Sequence, residues 1–196
     1  MPNLNADNIR KVYATATPEE ITAGLAWYNV AHLFCIGLAE EYDTDLDTAA
    51  GVVAAISPRL SWNLNLAYAE RIFATGDAPL LGLSKGKALA ILGGQTVGSV
   101  LQAPKGKPTS GQKVRAFYDN IRFTDDSTAV TIDRHAYDIA AGLEGSDATR
   151  KVLDRVGVYE EVANLYREVA AELDILPHQL QAITWIAWRR AKGITD

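Results

Sequence analysis

A lysine and an aspartate at opposite ends of one helix-plus-turn unit are the residues of this chain best suited to chemistry. Gly111-Gln112-Lys113-Val114 opens a helical run, and after a loop the chain enters Val130-Thr131-Ile132-Asp133-Arg134-His135. A lysine sharing a partly dry pocket with a carboxylate can act as a nucleophile, while the carboxylate activates a nucleophile or stabilises positive charge developing on a sugar. Each residue also has a plain structural reading. Lys113 alone is a surface lysine, and Asp133 is an N-cap that accepts backbone N–H bonds. Lysine at a helix N-terminus is nevertheless disfavoured by the helix dipole, so its presence there asks for a reason. His135 suits orienting a loop or a phosphate better than moving protons. The histidines are His32, His135 and His178, with no His-Glu-x-x-His spacing. Neither a metal site nor a cofactor is expected.

The elements that must position these groups are helical. Thr17-Pro18-Glu19-Glu20 predicts a capping box opening a long helix through Ala26, Val30, Leu33, Cys35 and Leu38, apolar on more than one side and so central and buried. Asp45 or Asp47 caps a helix from Thr48 to Ile56, stopped by Ser57-Pro58, and Ser61 caps one from Trp62 to Ala74, closed by Gly76. Further helices start near Leu83 and Thr96, at Thr109 or Ser110 (the lysine-bearing helix), after Asp133, and at Asp147, Val158 and Pro177. In the lysine-bearing helix Val114, Phe117, Tyr118 and Ile121 form an apolar face. Ala129 to Ile132 alone reads as extended.

Composition sets the outer limits. The chain has 196 residues, 48% of them hydrophobic and 22% charged, as in one ordinary globular unit. Cys35, the single cysteine, excludes an intramolecular disulfide and any cysteine-built zinc or iron–sulfur site. The N-terminus has no signal-peptide pattern, and no apolar stretch approaches the length of a bilayer span, so a cytoplasmic chain without a membrane partner is expected. A net charge of −5 argues against general nucleic-acid binding. From Lys85 to Arg134, however, eight cations against four carboxylates leave +4, so the rest carries −9. That pattern fits a monomer touching a polyanion with one face, or else a solvated basic loop.

Four segments, in order, resemble motifs of the helix-hairpin-helix DNA glycosylases of the endonuclease III type. Ala54-Ala55-Ile56-Ser57-Pro58-Arg59-Leu60-Ser61 is similar to that family's apolar helix end, Leu-Ser-x-Gln, and puts Arg59 where the family inserts a residue into the hole left by a flipped base. Leu101 to Lys113 looks like the hairpin. The family's Pro-Gly-x-Gly-x-Lys becomes Pro108-Thr109-Ser110-Gly111-Gln112-Lys113, losing the first glycine but keeping Gly111 and Lys113. Lys113 with its helix is the third segment. Val130 to His135, similar to the family's Val-Asp-Thr-His, is the fourth and aligns Asp133 with the catalytic carboxylate.

The resemblance implies an all-α fold of two helical lobes with a cleft between them, in one unit spanning residues 1–196. Residues 48–143 bear the motifs, and 1–47 and 144–196 complete the second lobe. It implies an enzyme acting on a DNA base: Asp133 assists N-glycosidic cleavage, and Lys113 attacks the sugar with lyase activity. DNA would be held by Arg59, Lys105, Lys107, Ser110, Gly111, Gln112 and His135, while Trp27, His32, Gln181 and Trp185 would line the base pocket, core packing being their alternative. A phage-type enzyme that hypermodifies thymine in DNA on the same fold, and a DNA-binding module without catalysis, are the other readings.

Overall fold

The Thr17 capping box forms as the sequence predicts: Thr17 N–H donates to Glu20 at 2.9 Å, and Glu20 N–H donates back to the Thr17 hydroxyl at 3.3 Å. The computed structural model describes residues 3–79 and 82–194, and among them every regular element is a helix. They are α1 (Ala6–Tyr13), α2 (Pro18–Glu41), α3 (Leu46–Ile56), α4 (Trp62–Thr75), α5 (Gly82–Leu92), α6 (Val97–Leu101), α7 (Gln112–Arg122), α8 (Arg134–Ala141), α9 (Asp147–Arg150), α10 (Val158–Glu172) and α11 (Pro177–Ala191). A 3₁₀ turn, Lys151–Asp154, extends α9. The fold is all-α.

Local chemistry explains most boundaries. Asp45, not Asp47, caps α3, which therefore starts at Leu46, and Ser61 caps α4, which Gly76 closes at φ 68°. The lysine-bearing helix departs from expectation. Neither Ser110 nor Thr109 caps α7; Gly111 does, at φ 75° and with no side-chain cap bond. Arg115 draws the preceding loop inward by donating to the carbonyls of Leu101 (3.0 Å) and Ser110 (2.7 Å), and only glycine follows that path without strain.

The apolar interior divides into two clusters. One, centred on α3, gathers α2 and α4 to α7; the other gathers α1, α8 and α10 with the inner face of α11. The division does not follow the motif limits, since α8 packs in the second cluster and α2 in the first. α11 bridges them by crossing α2, where a Cβ on Gly24 would lie 2.6 Å from Ile183 Cα. This contact holds Trp27 and Tyr28 against Gln181 and Trp185. Because the obstacle is backbone, Gly24→Ala is expected to destabilise the protein by about 1–3 kcal/mol. Chemical denaturation measures it, and an unchanged midpoint would mean the crossing is not close in solution.

Two expectations about α2 are corrected. Its 24 residues, with a mean hydropathy of 1.4 over the most apolar 18-residue window, make it long and apolar enough to cross a membrane. Nor is it buried all round. Tyr28, Ala31, Cys35 and Leu38 face the core, but Val30 is 57% and Leu33 63% exposed, because α3, α7 and α11 cover only part of the helix. Burial pushes the Cys35 thiol up to about 12, which fits an inert core residue.

Candidate active site

The extended stretch before Asp133 pairs with side chains and not with a strand. Ile132 N–H donates to the Tyr159 hydroxyl at 3.0 Å, and that hydroxyl donates to the Val130 carbonyl at 2.8 Å. From inside, Asn120 Nδ2 donates to Thr131 Oγ1 at 3.0 Å. So fixed, the chain turns at Thr131, whose carbonyl accepts from Asp133 N–H, and enters α8. Asp133 caps that helix, accepting from His135 N–H at 2.9 Å and Ala136 N–H at 2.8 Å. Both bonds fall on Oδ1. Capping therefore leaves Oδ2 available, and the structural and chemical readings of this residue are compatible.

Lys113 comes from the first turn of α7 and lines the same cavity as Asp133. It makes no hydrogen bond or ion pair among the described residues. The cavity, of about 120 Å³, is smaller than the ~300–1,000 Å³ typical of sites for whole small-molecule ligands and suits a single small ring system. Trp27, Tyr28, Trp62, Phe117 and Trp185 form its aromatic wall. Trp27 organises the group, with ring centroids 4.7 Å from Tyr28, 4.9 Å from Trp62 and 6.4 Å from Trp185. Polar groups interrupt this wall at Ser57, Asn65, Thr131 and Gln181.

Lys113, Asp133, Trp62 and Trp185 also border an outer depression of about 500 Å³, where Arg59, Arg134, His135 and Arg189 join them. Asp133 is the sole carboxylate among its described lining residues. The interior is aromatic and the mouth is cationic. Arg59 sits at that mouth with φ 69°, a left-handed conformation costing a non-glycine residue about 1–2 kcal/mol. Strain of this kind concentrates at functional sites.

Of the residues expected to share a pocket, Lys113, Asp133, Trp27, Gln181 and Trp185 do so. His32 does not. Its Nδ1 lies 2.7 Å from the Ile121 carbonyl, and it joins neither part of the site. Lys105 and Lys107 stand exposed in the loop before α7 with Ser110, and Gln112 lines a separate depression with Arg115 and Arg167. The basic segment is also less free than its count of +4 suggests, because Lys85 pairs with Asp77 and Arg122 with Asp47. Sequence reasoning missed Asn65, Ser57, Trp62, Phe117 and Arg189. For Asn65 a signal existed: it precedes Ala69 and Ile72 by four and seven residues, a polar group in a core register.

Arg134 Nε donates to His135 Nε2 at 3.2 Å, so that nitrogen is the acceptor of a neutral ring. Burial, reinforced by Arg134 and Arg189, holds His135 below the ordinary 6.5, and burial does the same for His178, which is 1% exposed. For both, the unfolded chain binds a proton more readily than the folded one. Their contribution to stability is therefore complete above about pH 6.5 and is lost as pH falls through that value towards the lower folded one. Melting temperature should fall on acidification below pH 6.5, and His178→Gln should flatten that dependence. A slope that His178→Gln leaves unchanged would remove His178 as its source.

The chain belongs to a family of unknown function (DUF7178), which matches residues 3–192. No curated protein and no solved structure matches it.

Proposed function

We propose, for a chain whose family brings no activity with it, that this is a helix-hairpin-helix, glycosylase-type enzyme acting on a base flipped out of DNA, held between two helical lobes. One observation carries the reading. Lys113 and Asp133, from separate segments, line one cavity whose wall is aromatic and whose mouth is cationic. Aromatic faces hold an unstacked base, and cations at the mouth meet the phosphates on either side of it.

The chemistry follows from the positions. Asp133 faces the sugar and its carboxylate stabilises the positive charge that develops at C1′ as the bond to the base breaks. The bonding electrons leave with the base, which takes up a proton. Lys113, as the free amine, then bonds to C1′; opening of the sugar ring gives a Schiff base, from which the strand can be cleaved. Among the described residues Lys113 has no ion-pair partner to leave before it reacts. Arg59 inserts into the vacated stack, and its left-handed backbone aims it outward from the turn after α3. The uncapped N–H groups at the start of α7, with Lys105 and Lys107 in the loop before it, take a phosphate.

Incubation with duplexes carrying damaged or hypermodified bases, followed by digestion to nucleosides and mass analysis, tests this. Release of a free base supports excision. A base of altered mass still attached to its sugar means modification in the same pocket, and an unchanged nucleoside profile with DNA retained by the protein means a binding module.

A further inference from the structure

A buried chain of hydrogen bonds runs from the loop after α7 to the wall of the cavity. It starts at a group that can only donate: Ala129 N–H, 3.2 Å from Ser127 Oγ. Ser127 in turn donates to Asn120 Oδ1 at 2.8 Å, and Asn120 Nδ2 donates to Thr131 Oγ1 at 3.0 Å. Thr131 Oγ1 lies 3.0 Å from the Tyr28 hydroxyl, which donates to Gln181 Oε1 at 2.9 Å. A phenol has one proton, so with that proton on Gln181 the hydrogen between the two hydroxyls belongs to Thr131. Reversed, these last links would turn the Thr131 hydrogen out of the chain into the cavity that Thr131 also lines. With Gln181 Oε1 2.9 Å from the Tyr28 hydroxyl every hydrogen of the chain has an acceptor within it, and the oxygen is the end of the Gln181 amide that faces Tyr28.

The other end faces the cavity. Gln181 is 5% exposed and lines the site, and its Nε2 donates to no described residue. Nearby polar groups are equally unspent. Asn65, 2% exposed, has an Oδ1 without a partner among the described residues, as does the Ser57 hydroxyl, and both residues line the same cavity. A buried polar atom left unpaired costs about 1–3 kcal/mol, so an aromatic cavity that keeps several is built to hydrogen-bond what it holds.

We propose that Gln181 determines the specificity of this site: locked by Tyr28, it offers only N–H donors, so the cavity takes a nucleobase through a ring carbonyl and rejects one presenting an amino group there. Asn65, with no neighbour fixing its amide, turns to suit the adjoining donor or acceptor. Tyr28 is a positioning residue that acts through Gln181. The inference rests on the nucleobase reading of the cavity and names the base class as keto-bearing.

The test compares 2′-deoxyuridine with 2′-deoxycytidine, which share ring size and differ at the edge concerned. Both are presented as free nucleosides and as the single base of an otherwise abasic oligonucleotide, with binding read from the fluorescence of the cavity tryptophans. The wild type should prefer the uracil ligand by about tenfold or more. In Tyr28→Phe the amide is free to rotate, and the preference should shrink to within about threefold through better cytosine binding. Should that variant not fold, Gln181→Glu carries the same test. Its carboxylate accepts on both oxygens, so the preference should invert. Equal binding of the two bases by the wild type, or a preference that survives Tyr28→Phe or Gln181→Glu, overturns the lock while leaving the nucleobase reading intact. No binding of either base in either form overturns both. Preference shown by nucleosides and oligonucleotide alike supports the lock whether the base arrives free or in DNA, and tighter binding of the oligonucleotide identifies DNA as its source.

Discussion

Asp133→Asn is expected to fold, to bind DNA at least as tightly as the wild type, and to lose turnover by on the order of a hundredfold or more. Each part has its own cause. Asparagine keeps the shape and an oxygen that can accept from His135 and Ala136, so the cap on α8 survives and stability falls by about 1 kcal/mol or less. Binding does not suffer, because the carboxylate contributes nothing to a phosphate and its removal takes a like charge from the mouth of the site. The chemical step suffers because stabilisation of charge at the sugar is needed only in the transition state. Single-turnover rates measured alongside DNA affinity and thermal melting separate these effects. A variant that unfolds would reduce Asp133 to its cap, and one with full activity would end the proposed mechanism.

Lys113→Gln should abolish borohydride trapping of the protein on substrate DNA, since reduction captures only an imine and the chain would have lost the amine that forms it. Glutamine retains two of the four methylenes and a polar end, so the packing of α7 should be undisturbed and the melting temperature close to wild type. Affinity for DNA and its salt dependence should change little, because the phosphates are met by Lys105, Lys107 and the N–H groups of α7 and not by Lys113. Trapping that persists in the variant assigns the amine elsewhere. Failure of the wild type itself to trap would leave Asp133 as the main actor and favour excision without strand cleavage, or modification.

Much of the scaffold was legible because its signals are local. Capping is decided within four residues, so Thr17 with Glu20, Ser61 and Gly76 marked boundaries that the fold adopts. Gly111 was misjudged in favour of Ser110 because the deciding contact, Arg115 on Leu101 and Ser110, reaches back across a loop. The exposed side of α2 was misread for a similar reason. Its residues are apolar on nearly every face, so periodicity carries no information about which face the neighbours leave open.

The site divides along the same line. Lys113 and Asp133 stood out because each sits where helix electrostatics or capping makes residue type meaningful one element at a time. Trp27, Gln181 and Trp185 could be suspected, since aromatic and amide side chains suit a base, but His32 was equally suspect and is held instead by the Ile121 carbonyl. What the sequence by itself determined is an all-helical chain with a lysine and a carboxylate presented at two helix starts, because helix period and end chemistry depend on near neighbours. Only the tertiary structure decided that these two groups open onto one aromatic cavity and that Tyr28 dictates which end of the Gln181 amide faces into it. Those properties come from α2 crossing α11 at Gly24 and from a hydrogen-bond chain linking residues up to 153 positions apart. The polarity of such a chain is set only once its distant members meet in a low-dielectric interior, where an unpaired proton is costly.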